Sequence, residues 1–133
     1  MKIYTSYFGN SKQLRSANVE MIGIARYKPR FFNGFNIVDV APKPFMLSED
    51  MTEEEYVAHY DKLVLEPLNI PKFIETLKSM SRGKDVALCC YEKPGQFCHR
   101  HLLSDWLNKK ANLGIKEFGV KEETVAEEAL TLF

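Results

Sequence analysis

Cysteine is scarce in this sequence, with three in 133 residues, and Cys89 and Cys90 are adjacent while Cys98 lies close by. A disulfide framework shows an even count spread along the chain, so reduced thiols are the expectation. Net charge is also missing: 18 Lys and Arg balance 18 Asp and Glu. Overall attraction to nucleic acid or to a membrane surface is therefore not implied. No stretch approaches the roughly 18 uninterrupted apolar residues of a membrane span, and Met1-Lys2-Ile3-Tyr4 lacks the pattern of a signal peptide. A cytoplasmic protein with no membrane partner is the resulting expectation. Gly-rich phosphate loops of the Walker or dinucleotide kind are absent too, and no cofactor is expected.

What is present is the balance of an ordinary folded protein, 45% apolar, 27% charged and 12% aromatic. A chain of this length suits one α/β domain covering 1–133. Its charge is segregated. Residues 1–45 carry seven basic and two acidic side chains, whereas residues 46–66 carry one and seven. Residues 67–110 are again positive and residues 111–133 negative, and acidic helices facing water are the simplest account.

Lys2–Tyr7 has the β-branched and aromatic content of a strand, which Gly9-Asn10-Ser11 ends. Val19–Ala25 predicts a second strand, ending in Arg26–Arg30 where Pro29 stops regular structure, and Phe35–Val40 a short third segment ahead of Pro42 and Pro44. Thr52-Glu53-Glu54-Glu55 is a capping box, and Tyr56, Val57, Tyr60, Leu63 and Val64 repeat at helical spacing up to Pro67. Another helix opens near Asn69, with Pro71 in its first turn and Phe73, Ile74, Leu77 and Met80 as its stripe.

Asp85–Tyr91 is the strongest strand. An unalternating apolar run of this kind is what a strand covered on both faces requires. After it, Leu102, Leu103, Trp106 and Leu107 predict a helix that stops at Asn112 or Gly114, followed by a short strand Ile115–Val120 and an amphipathic tail. This succession predicts a three-layer α/β fold with a mainly parallel sheet.

In such sheets ligands gather at the carboxyl ends of strands, which singles out the loop Glu92–Arg100. A helix beginning near Cys98 or His99 would aim free N–H groups at an anion, and Arg100 adds a planar fork for phosphate or carboxylate. His99 can carry a proton near neutrality, and Cys98 at the same end could gain thiolate character. Against this stand blander roles: a buried apolar Cys98, a solvated Glu92, and a Cys89 that belongs to the core. Cys90, Cys98, His99 and His101 are zinc-ligand types, but no Cys-x-x-Cys pair is present and adjacent Cys98 and His99 rarely face one ion, so no metal is expected. The spacing from Cys90 or Cys98 to Arg100 also fails to match a phosphatase nucleophile loop.

The run Leu88-Cys89-Cys90-Tyr91-Glu92-Lys93-Pro94-Gly95-Gln96-Phe97-Cys98-His99-Arg100, followed by Leu102-Leu103-Ser104-Asp105-Trp106-Leu107, resembles the signature of the bacterial domain-of-unknown-function 488 family. Ile3–Phe8, Ile22–Pro29, Val40-Ala41-Pro42 and the helix around Tyr56–Tyr60 fit more loosely. The resemblance implies a small Rossmann-like domain and supplies no activity. Carried over by position, it places Glu92, Cys98, His99 and Arg100 in the signature, with Thr5, Ser6 and Arg26 at neighbouring strand ends. Three functional expectations stand together. One is a site for a small anionic or phosphorylated ligand of nucleotide type, with Cys98 and His99 as candidate catalytic groups. Another is a nucleic-acid accessory module, using Lys12, Lys28 and Arg30 with Tyr4, Tyr7, Tyr27, Phe31 and Phe32 as stacking groups. The last is a purely architectural Cys-His-Arg motif.

Overall fold

The computed structural model of the chain describes residues 1–93 and 95–119. Among these residues four strands form one sheet, β1 (Ile3–Tyr7), β2 (Glu20–Gly23), β3 (Val86–Cys90) and β4 (Lys116–Glu117), in the order β2-β3-β1-β4. Every pairing is parallel, with Ile3 opposite Val86, Glu20 opposite Val86, and Tyr4 opposite Lys116. The helices are α1 (Ser11–Ser16), α2 (Glu53–Tyr60), α3 (Ile70–Ser81) and α4 (His99–Ala111). This is the Rossmann-like α/β arrangement that the sequence predicts. Among the described residues no helix is long and apolar enough to cross a membrane.

Both faces of β3 are covered, and every one of its residues is buried. Val86 and Leu88 belong to a large cluster with Tyr60, Val64, Phe73, Leu77, Leu103 and Leu107, so α2, α3 and α4 supply that face. Ala87 and Cys89 join Phe8, Leu14, Val19 and Phe32 in a smaller cluster under α1. The alternation of side chains along a strand divides the two sets.

Local sequence sets the element ends. Thr52 caps α2 by accepting from the Glu55 amide at 3.1 Å, the first bond of a capping box, while the Glu55 carboxylate accepts from the Thr52 hydroxyl at 3.0 Å instead of from its backbone amide. A π-helical turn, Asp61–Leu65, continues α2. Asn69 caps α3 through the Lys72 amide, with Pro71 inside the first turn. The short link from β1 to β2 holds only a 3-10 turn and the six-residue α1.

Phe35–Val40 departs from the strand expectation. It touches the sheet through a single bridge, Gly23 to Asn36, and then turns into a 3-10 helix at Val38–Val40. Asn36 explains the departure. Its side-chain oxygen accepts from the Ala25 amide at 3.2 Å and its Nδ2 donates to the Ala25 carbonyl at 2.9 Å, so a side chain takes the ladder positions another strand would use. Gly23 permits this approach: a Cβ there would lie 2.4 Å from the Asn36 side-chain oxygen. Beyond β2 the Ile24 amide still donates to the Cys89 carbonyl at 2.9 Å, and residues 25–27 then border a cavity with Cys90 and Tyr91. The predicted last strand is present as β4, and the predicted amphipathic tail lies outside the described residues.

Candidate functional site

Cys98 is the N-cap residue of α4, and its backbone is extended, with φ −155° and ψ 143°. The chain changes direction there, so Cys98 and His99 do not diverge as two successive helical residues would. Cys98 Sγ lies 3.8 Å from His99 Nδ1. The loop also folds back onto the end of β3, joining the sulfurs of Cys90 and Cys98 as a disulfide. Here the structure differs from the three reduced thiols expected from cysteine spacing, because an eight-residue separation along the chain becomes a contact across the strand-loop-helix turn. Cys89 stays a free thiol in the core, where burial pushes its pKa up to about 12.

The tautomer of His99 follows from its partner. Nε2 lies 2.6 Å from the Ile24 carbonyl oxygen, which can only accept, so Nε2 carries the proton and Nδ1 presents a lone pair towards Cys98. Burial lowers its pKa to about 4, and the Arg100 guanidinium adds to the effect against the opposing Ile24 hydrogen bond. The imidazole is neutral near neutral pH. Tyr60 packs edge-on against the ring with centroids 5.8 Å apart, while its hydroxyl donates to the Val40 carbonyl at 2.6 Å. Burial likewise lowers the pKa of half-buried His101.

Arg100 is fully buried, and each guanidinium nitrogen is engaged. Nε donates to Glu117 Oε1 at 3.1 Å, and one terminal nitrogen donates to Glu117 Oε2 at 3.0 Å. The other terminal nitrogen donates to Cys90 Sγ at 2.8 Å and to the Glu92 backbone carbonyl at 2.6 Å. Thr5 is buried beside this fork and donates to Glu117 Oε1 at 2.6 Å. Ser6, also buried, accepts from Asn10 at 3.2 Å. Thr5, Ser6 and Arg100 thus face partners within the chain. Glu117 is the residue that the sequence pattern did not single out; its only signal was a carboxylate beside Lys116 within a short strand segment.

Arg26, Glu92 and His99 come together elsewhere. With Ala25, Tyr27, Pro42, Leu47, Cys90 and Tyr91 they line a cavity of about 250 Å³ at the carboxyl ends of β2 and β3. Arg26 Nε donates to the Pro42 carbonyl at 2.9 Å, and its terminal nitrogens have no hydrogen-bond partner among the described residues. The Tyr91 hydroxyl donates to the Tyr27 carbonyl and ties the two strand ends across one side. The predicted aromatic set, by contrast, is dispersed: Tyr27 and Phe31 are exposed, Phe32 is buried, and Tyr4 packs against Phe118.

The fold is a Rossmann-like α/β domain, with a cavity where parallel strands β2 and β3 end. The chain belongs to the DUF488 family, since the family model described as the active DUF488-N3 subclade matches residues 4–111. No curated protein and no solved structure matches it.

Proposed function

We propose that the cavity beside Cys90 and His99 binds a small anionic ligand, a phosphate or carboxylate of nucleotide type, and that Cys98 and His99 are its reactive groups. The observation that carries this reading is Arg26, whose Nε is fixed by Pro42 while its terminal nitrogens have no partner among the described residues, in a cavity wall otherwise rich in apolar surface. A guanidinium held at Nε keeps the edge formed by its two terminal nitrogens as donors for a bidentate anion. Arg100 belongs to the supporting structure instead, because Glu117 already occupies its fork.

The chemistry available beside the anion follows from His99. Its neutral Nδ1 can take the proton of a reduced Cys98 thiol, and the α4 N-terminus stabilises the thiolate that results. Inorganic phosphate and a panel of nucleoside monophosphates should raise the melting temperature of the wild-type protein. Arg26→Ala should weaken that binding roughly tenfold to a hundredfold, as expected for a lost charge-assisted contact, while the free protein loses no more stability than its one hydrogen bond to Pro42 supplies, about 1 kcal/mol. The reading fails if no panel member shifts the wild type, or if Arg26→Ala responds like the wild type.

A further inference from the structure

We propose that the reduced protein binds a zinc ion through Cys90 Sγ, Cys98 Sγ and His99 Nδ1. The three side chains are buried, and one ligand atom from each lies within 4.8 Å of the others. The set of two thiolates and one imidazole is a zinc donor set that leaves a fourth position open. That position falls on the cavity side, because Cys90 and His99 both line the cavity.

Three further observations support a metal at this point. His99 donates Nε2–H to the Ile24 carbonyl, the outer hydrogen bond that orients a ligating imidazole and fixes the tautomer with Nδ1 bare. The guanidinium of Arg100 donates to Cys90 Sγ at 2.8 Å, which compensates the negative charge of a coordinating thiolate. The Cα atoms of Cys90 and Cys98 stand 7.5 Å apart, wider than the roughly 4.4–6.8 Å usual in disulfides. Tetrahedral zinc spreads two thiolate sulfurs to roughly 3.8 Å and so spans a wider backbone gap.

Spacing in the sequence argues against this site because adjacent Cys98 and His99 should face apart. The extended N-cap backbone of Cys98 removes that objection. The chemistry balances: the disulfide takes two electrons and two protons from a thiol reductant, and zinc then displaces the two thiol protons. His99 loses none, since Nδ1 carries none. Zinc would occupy the lone pair that otherwise serves as a base, so the site's chemistry would pass to a ligand on the open position. Metal binding requires no anion, and its failure would leave the Arg26 reading untouched.

The test uses full-length protein purified under thiol reductant, loaded with zinc and then desalted, with metal measured by mass spectrometry. Cobalt substitution gives a second readout. One zinc per chain is expected, with a near-ultraviolet thiolate-to-cobalt band in the cobalt form. Cys98→Ser and His99→Ala should weaken zinc binding on the order of a hundredfold or more, and Cys89→Ser should leave it intact. Should those variants fold poorly, the cobalt band of the wild type decides alone. Absence of that band, reduced wild type that retains no zinc, or zinc retained in full by a folded Cys98→Ser protein would each overturn the proposal.

Discussion

A guanidinium with no exposure to water is costly unless its charge and donors are met, and Arg100 shows how much chain that takes. Its partners come from β3, from the loop after β3 and from β4, so one side chain on α4 ties three segments together. Arg100→Ala removes one member of a buried pair and leaves the Glu117 carboxylate stranded, 10% exposed. The expected loss of stability is about 3–5 kcal/mol, read from chemical denaturation. Against a typical total of about 5–15 kcal/mol this is a large share. A loss below about 1 kcal/mol would show that Arg100 is not the tie its geometry describes, since that is the range of an exposed pair. Cys-His-Arg is legible in the sequence as a triplet, yet its members part company, Arg100 turning to Glu117 and His99 to the Ile24 carbonyl. Neighbours along the chain cannot reveal this, because the partners that distinguish Arg100 from His99 lie at Glu117 and Ile24.

At the scale of elements, the short β4 depends on α4. Asn108 donates Nδ2 to the Ile115 carbonyl at 2.9 Å and accepts from the Ile115 amide at 2.7 Å, which holds the returning chain against the helix. Asn112, in the left-handed region at φ 52°, ends the helix and starts that return. Phe118 then donates to the Thr5 carbonyl at 2.8 Å, and Glu117 reaches Arg100. Asn108→Ala should cost about 1–3 kcal/mol by leaving both Ile115 groups unpaired. Amide exchange at Phe118 should accelerate more than exchange within β3, and equal acceleration throughout would refute a local tie. Elements with strong periodicity or caps, such as α2 after Thr52, α3 after Asn69 and the buried β3, are visible in sequence. Phe35–Val40 is not: its strand-like composition meets Asn36, which closes the edge at β2, and no local pattern records that contact.

For the whole molecule, the His99 equilibrium links folding to pH. The folded pKa, about 4, lies below the unfolded value of about 6.5, so the unfolded chain binds the extra proton between them. Stability is therefore complete above about pH 6.5 and falls as pH drops towards 4, by on the order of 3 kcal/mol from this residue. The lowered pKa of His101 acts in the same direction. His99→Gln, which can still donate to Ile24, should flatten the pH dependence of the denaturation midpoint between pH 4 and 6.5; parallel curves for the two proteins would count against a buried neutral imidazole.

The sequence by itself determined the class of fold and singled out the loop after β3 as the place to look for a site. An apolar run buried on both faces forces helices onto each side of the sheet, and the loop after it must emerge at the strands' carboxyl ends. Family membership rests on the match over residues 4–111. Only the tertiary structure decided which polar residues share a space. Thr5 and Arg100 turn to Glu117, whereas Arg26, Glu92 and His99 turn to the cavity, and Cys90 meets Cys98. The physical reason is that a buried charge takes whichever opposite charge the fold brings within reach. For Arg100 that charge lies 17 residues away, on a two-residue strand that pairs with β1.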